Sequence, residues 1–452
     1  MNTNTAIRIH PLKTLALALA SMLMFACSDF DTELSVAPYD RPADLNGTRK
    51  PSEEKRHTFI VLSLGHNNLS GALQEDMDEL KDGYIPGKGR NDNVLLIFSH
   101  RTPRSGSWSG PRSPVLERVY RDRSGKTVSD TLKVWEPGTV SASAETIRSA
   151  LEYIRDEFPS ASYGMLVSSH GTGYLPAGFY SNPNSYVFRE AGRDASGRMR
   201  RQRHGVPYVE IPLHEGEPMV KSIGQDVQEG VSYEMELAAF ADAIPMKMSY
   251  ILMDMCFMGG IETAYELRGK CDMLGVSQTE VLANGFVYTS IGQHLLKTRT
   301  PNPQGICEDY FNSYNIQTGV YRSATISLID CNMLDPLAEI CAFLFDKYRT
   351  RLKTMDAGKV QRYYRYDYHW FYDLESIVEG LGATEDEMAD FREALEKCII
   401  YRNATPSFMT GSSGFNINVF SGFSMYLPSN GHRELDKYYR TLDWNKATAL
   451  VE

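Results

Sequence analysis

The sequence carries no excess of positive charge: 47 Lys and Arg stand against 57 Asp and Glu, a formal net charge of -10 over 452 residues. The basic surface that drives phosphate-backbone binding is not expected, so nucleic acid is not a partner. Long apolar runs are also lacking. The longest, Leu15 to Ala26, has about 12 residues, too few to cross a bilayer core of ~30 Å as a helix. Cysteine is sparse, seven in all, with no CxxC and irregular spacing, which indicates neither a zinc ribbon nor a disulfide framework. There is no HExxH. Gly83-Tyr-Ile-Pro-Gly87-Lys88-Gly89 has too few residues between its glycines for a phosphate loop, and Gly411-Ser-Ser-Gly414 lacks the nucleophile-elbow spacing. Zincin, ATPase and serine-hydrolase chemistry thereby lose their sequence support. What is present is ordinary globular composition, 42% hydrophobic and 23% charged, in a chain long enough for two or three domains.

The first 27 residues are read for addressing. Arg8, His10 and Lys13 precede the short apolar run, which ends Met24-Phe25-Ala26-Cys27. A small residue followed by cysteine resembles the lipobox at which bacterial signal peptides are cut and the new N-terminal Cys acylated. Cys27 is thus the expected membrane anchor, and the acidic stretch Ser28 to Glu33 resembles those that accompany outer-surface display. The expectation is an exported lipoprotein of the outer membrane and cell surface. The other six cysteines, an even number that could pair, are expected for the most part to be buried small hydrophobes.

Residues 28–57, polar and punctuated by Pro38, Pro42 and Pro51, read as a tether. Beyond them, apolar runs rich in β-branched residues (Thr58 to Leu64, Val94 to Ser99, Leu132 to Trp135, Tyr163 to Ser169, Ser249 to Met255, Met273 to Val276) alternate with helical patterns at Gly71 to Leu80 and Ser143 to Phe158. In the second helix Ile147, Leu151, Ile154 and Phe158 share one face. Alternation of this kind predicts an α/β fold with a mostly parallel sheet covered on both sides. Two polar segments, Arg101 to Gly125 and Ser181 to Gly230, read as loops or insertions. After about residue 300 the alternation fades into helical stretches, Leu334 to Leu352 and Glu385 to Tyr401, which reads as a C-terminal domain over 301–452.

Two strand ends could carry chemistry. Tyr250-Ile-Leu-Met-Asp254-Met-Cys256 ends an apolar run at a cysteine before Gly259-Gly260, and Met165-Leu-Val-Ser-Ser-His170-Gly171 ends another at a histidine. Ligands of open α/β sheets bind beyond the carboxyl ends of strands, where a thiol serves as a nucleophile. Either residue alone is more often structural. Asp254 alters that weighing: it interrupts an apolar run two residues before Cys256, on the same strand face, where a carboxylate is costly without a partner.

These residues carry a resemblance. A strand ending Ser-His-Gly, followed by a hydrophobic strand ending Asp-x-Cys-x-x-Gly, resembles the clostripain family of cysteine peptidases, in the caspase-like clan with legumain and gingipain. The likeness extends to Gly65-His-Asn-Asn-Leu69, Lys221-Ser-Ile-Gly-Gln-Asp226, Gly275-Val-Ser-Gln-Thr-Glu280 and Ser421-Gly-Phe-Ser-Met-Tyr-Leu-Pro428. His66 departs from it, standing where the pattern has Asp. The resemblance implies a caspase-like three-layer sandwich with a six-stranded, mostly parallel sheet over 58–300, an insertion at 181–230, and the C-terminal domain packed on it. It implies Cys256 as nucleophile, His170 as general acid/base, and the Gly171 and Cys256 amides as oxyanion hole. Asp254 becomes the floor of a pocket for basic P1 residues, and Ser277 and Gln278 the edge that pairs with substrate backbone. It further implies activation by cleavage in the insertion, where Arg198, Arg200, Arg201, Arg203 and Lys221 offer sites. The chemistry requires no cofactor, with calcium left open as an activating ion and the metal ligands unknown. The competing reading is a noncatalytic surface lipoprotein that binds peptide or glycan on the same scaffold.

Overall fold

The apolar run at Thr58 forms β1 (His57–Gly65), and all nine of its residues are buried. Burial on both faces is what an uninterrupted apolar strand in the middle of a covered sheet provides. The structure is a computed structural model that describes residues 56–102, 113–179, 187–193, 199–205, 226–228, 231–365, 369–410 and 414–452. No helix among these is long and apolar enough to cross a membrane.

In chain order, β1 is followed by α1 (Ser70–Asp82), β2 (Val94–Arg101), β3 (Val115–Arg121), β4 (Thr127–Val134), α2 (Ala144–Glu157) and β5 (Ser162–Ser168). Two short hairpins come next, β6 (Val187–Arg193) with β7 (Met199–Gly205) and β8 (Asp226–Gln228) with β9 (Val231–Tyr233). Then follow α3 (Leu237–Ala243), β10 (Met248–Asp254), α4 (Ile261–Leu267), β11 (Cys271–Val276), α5 (Tyr288–Leu295), α6 (Pro303–Asn315), β12 (Thr325–Asp330), β13 (Tyr372–Asp373) and β14 (Ile399–Ala404). α2 starts where its sequence signals it, with the Ser143 hydroxyl accepting the Thr146 N–H, and Ile147, Leu151 and Ile154 form its buried face.

The main sheet has nine strands in the order β14-β12-β11-β10-β5-β1-β2-β3-β4. Its centre, β11-β10-β5-β1-β2, is parallel, and the outer strands on both sides are antiparallel. Six strands were expected. The additional ones come from two places where the sequence signal is weak. β3 lies in a segment read as loop, because only Leu116 and Val119 of its seven residues are buried and a bulge at Leu116/Glu117 breaks the alternation. β12 and β14 come from 301–452. The sheet therefore runs across the boundary drawn at residue 300, and the described residues all fall in one compact unit. Within 181–230 the described residues 187–193 and 199–205 form the strands β6 and β7, which pair along their whole lengths.

Candidate active site

β5 and β10 pair in parallel with Ser168 opposite Asp254. Two residues further along each chain stand His170 and Cys256, so equal offsets from one paired position bring them side by side beyond the strand ends. Close contact follows at the next residue: a Cβ on Gly171 would lie 2.4 Å from the Cys256 carbonyl oxygen and 3.0 Å from its nitrogen. Only glycine permits the two backbones to approach so closely. Gly173 repeats this one step on, with φ of +61° and a notional Cβ 2.6 Å from the Phe257 carbonyl oxygen.

Cys256 is fully buried. Its sulfur accepts the Val281 N–H at 3.1 Å, and the neighbouring Phe257 has φ of 59°, a left-handed conformation that a bulky residue adopts only when its surroundings impose it. They do: Phe257 N–H donates to Thr279 O at 2.9 Å, Gly259 N–H donates to Ser277 O at 2.7 Å, and the Phe257 ring stacks on Phe371 at 4.6 Å. His170 is 2% exposed, and its Nε2 lies 2.6 Å from the Asn68 side-chain oxygen. An amide oxygen only accepts, so the contact puts the proton on Nε2 and leaves Nδ1 as the basic nitrogen. Beside His170 is a small, mainly apolar cavity of about 80 Å³ whose walls include Leu64, Val167, Phe240, Met253 and Met258; Cys256 does not line it.

Asp254 is fully buried beneath the two strand ends and accepts hydroxyl hydrogen bonds from Tyr288 at 2.7 Å and Ser168 at 3.3 Å. Ser277 and Gln278 are buried too, and their groups turn inward. Ser277 Oγ lies 3.0 Å from Thr325 Oγ1, and Gln278 donates through Nε2 to Gly422 O at 2.8 Å and through its backbone N–H to Thr325 Oγ1 at 3.1 Å. In this form they brace the Cys256 loop, and these groups are not offered to a substrate strand. Arg200, Arg201 and Arg203 lie in β7, paired with Gly192, Ala191 and Arg189. Arg198, Lys221 and Cys27 lie outside the described residues. The six other cysteines are all buried thiols, as expected.

His66, the departure from the family pattern, has a partner that the sequence could not reveal. Its Nδ1 lies 3.0 Å from Asp226 Oδ1, its ring stacks on His100 at 4.2 Å, and His100 Nδ1 is 3.3 Å from Asp226 Oδ2. Ser141 adds its backbone N–H at 2.6 Å and its hydroxyl at 2.9 Å to the same carboxylate. Burial alone pushes the Asp226 carboxyl up, but the hydrogen bonds from His100, His66 and Ser141 together outweigh it and hold the group well below the usual carboxylate range. Among the described residues this is the group whose donor atoms converge closely enough for a metal ion. Parallel stacked rings that both address one carboxylate form a complete hydrogen-bonded clamp, a poor match to two imidazoles sharing one tetrahedral cation.

The family model for clostripain matches residues 61–193 and 204–451. The chain belongs to the clostripain family of cysteine peptidases. Among solved structures, the peptidase is similar to an inactive zymogen C11 protease from Parabacteroides distasonis, with 26% identity, a TM-score of 0.67, and coverage of 88% of this chain and 99% of that one. Its fold also matches a secreted C11 cysteine protease from Bacteroides thetaiotaomicron, iotapain, at 24% identity and TM-score 0.67 over 88% and 100% of the two chains. A secreted C11 cysteine protease from the same organism, in complex with an irreversible peptide inhibitor, matches at 21% identity and TM-score 0.66 over 87% and 98%. No curated protein matches. The caspase-like α/β reading of the sequence and the assignment as a cysteine peptidase thus hold.

Several site groups carry no local sequence signal. Val281 acts through its backbone, and Tyr288 and Ser168 reach Asp254 through tertiary contacts. Asn68 was in plain view inside Gly65-His-Asn-Asn-Leu69, and the signal that singles it out is the meeting of the β1 and β5 loops.

Proposed function

We propose that the peptidase is a surface-anchored endopeptidase that cleaves after basic residues, Arg and Lys, through a Cys256–His170 dyad, and that it is made as a closed precursor. The observation that supports the dyad is the register of Ser168 with Asp254, from which His170 and Cys256 each follow by two residues. The Cys256 thiol passes its proton to His170 Nδ1, the resulting thiolate attacks the scissile carbonyl, and the developing oxyanion takes hydrogen bonds from the Gly171 and Cys256 amides. His170, oriented by Asn68, protonates the leaving amine at its Nδ1 side. Water then hydrolyses the acyl-enzyme with His170 as base.

Asp254 supports the basic preference: a buried carboxylate that accepts from the Tyr288 and Ser168 hydroxyls at the foot of the site is a group to which a cationic side chain can pair by a charge-assisted hydrogen bond. The 0% exposure of both Cys256 and Asp254 supports the precursor reading, as does the likeness to a protease described as an inactive zymogen. Opening follows cleavage in 181–230 after one of Arg198, Arg200, Arg201, Arg203 and Lys221. The three arginines in β7 must leave a paired strand to be cut, which favours the other two. Acylation at Cys27 supplies attachment to the outer membrane. The chemistry needs no cofactor, and a calcium titration of peptide cleavage shows whether that ion activates the enzyme. A basic acyloxymethyl ketone tests the reading: the active form should be labelled at Cys256, His170→Ala should not, and a neutral-P1 probe should label far more slowly. Equal labelling by basic and neutral probes would refute the specificity.

A further inference from the structure

The loop between β11 and α5 does more than close the sheet. From Ser277 to Val281 it holds the nucleophile segment at three points: Ser277 O and Thr279 O accept the Gly259 and Phe257 amides, and the Val281 N–H points at the Cys256 sulfur. Between the second and third of these points sits Glu280, 1% exposed. Its carboxylate receives a two-pronged contact from Arg365, Nε to Oε2 at 2.7 Å and a terminal nitrogen to Oε1 at 3.1 Å, with both side chains 1% exposed. A fully buried ion pair is a poor way to gain stability, since well-packed apolar residues usually do as well, so its presence beside a nucleophile asks for another reason.

The neighbours of Arg365 supply one. Tyr364 packs edge-on against the Phe257 ring at 5.5 Å, and the Tyr363 N–H donates to the carbonyl of Phe371, the residue that stacks on Phe257. One short segment therefore touches the residue after the nucleophile and, through a rigid bidentate fork, the residue before Val281. We propose that Glu280 and Arg365 are positioning residues that hold the Val281 amide on the Cys256 sulfur, so that the thiolate is formed and aimed before substrate arrives. A hydrogen bond donated to the charged form favours that form, and a planar fork fixes direction where an ammonium would fix only charge. The inference rests on the reading of Cys256 as nucleophile.

The test is the pH dependence of iodoacetamide alkylation at Cys256, followed by peptide-resolved mass spectrometry on the active enzyme, with kcat, KM and melting temperature alongside. The variants are Arg365→Lys and the neutral double Glu280→Gln with Arg365→Met, which removes both charges of the pair together. The wild type should alkylate with a midpoint below the ordinary thiol value of about 8.5. The double variant should shift that midpoint up by about one unit, with a roughly tenfold lower rate near neutrality and lower kcat at little-changed KM; Arg365→Lys should fall between the two. A folded double variant with unchanged midpoint and kcat would overturn the proposal and leave the pair as scaffolding. Should the double variant fail to fold, an unchanged midpoint in Arg365→Lys overturns it equally. A wild-type midpoint at the ordinary thiol value would instead defeat the nucleophile reading itself.

Discussion

Around Cys256, Phe257, Gly259 and Val281 each donate a backbone hydrogen bond across the gap between two loops, and a buried ion pair stands behind them. The short strands between Val187 and Tyr233 are held differently. β6 pairs with β7 and β8 with β9, none of them joins the main sheet, and among the described residues the Asp226 carboxylate between His66, His100 and Ser141, with Val227 N–H on His66 O beside it, anchors them to the core. The difference separates two tasks. Groups that must meet a transition state within a fraction of an ångström are held from several directions, whereas a segment that must be cut and moved is attached locally.

Substitutions on the two sides should therefore read out differently. The largest effect is at the nucleophile: Cys256→Ala should lower peptide cleavage by about 10⁴-fold or more, with a stability change of roughly 1 kcal/mol or less, measured by turnover and thermal melting. Asp254→Asn keeps shape but removes charge, and should cost roughly 2–3 kcal/mol on Arg substrates, about 30-fold to 150-fold in kcat/KM, with little loss on neutral P1 peptides. Equal loss on both would leave Asp254 as a structural residue.

Two buried carboxylates, one in each region, sharpen the comparison through opposite pH slopes. Glu262, in the first turn of α4 behind Cys256, accepts from Tyr426 N–H at 2.8 Å and Tyr439 OH at 2.6 Å, yet burial raises its pKa from 4.5 to about 7. With the folded value above the unfolded one, its contribution is fully present below pH 4.5 and is lost as pH rises through about 7. Glu262→Gln should remove that slope and stabilise the protein above neutrality by roughly 2–3 kcal/mol in denaturant melts. Asp226 runs the other way. Its depressed value means stability present at neutral pH and lost as pH falls below the ordinary 3.8. Asp226→Asn should cost roughly 1–2 kcal/mol at pH 7, flatten the acid limb, and speed nicking of residues 181–230 by added trypsin. If nicking is unchanged, the clamp does not govern that segment.

The legible parts of this molecule were those where local pattern and tertiary role coincide. Strands buried on both faces declared themselves to within a residue or two, as did α2 with its Ser143 cap, and the glycines after His170 and Cys256 marked turns that the structure shows as close backbone contacts. What escaped depends on position in space. β3 has two buried residues in seven and so no period to read. β14 follows directly on the helix Glu385–Cys398 and was absorbed into it. Ser277 and Gln278, expected as an edge for substrate backbone, also have side chains tied to Thr325 and Ser327 of the antiparallel β12, contacts that no local pattern announces. His66 looked like a defect in a pattern until Asp226, 160 residues away, was found beside it.

The central claim is a site fully assembled but closed, opened by the enzyme's own cut between its two reacting residues. Intact mass and N-terminal sequencing of wild type and Cys256→Ala, each paired with an activity assay, test it most directly. Wild type should mature to two chains that stay together, cut after a basic residue within 181–230, and only that form should cleave peptides; Cys256→Ala should remain one chain. An identical cut in both proteins, or full activity in uncut wild type, would contradict the account.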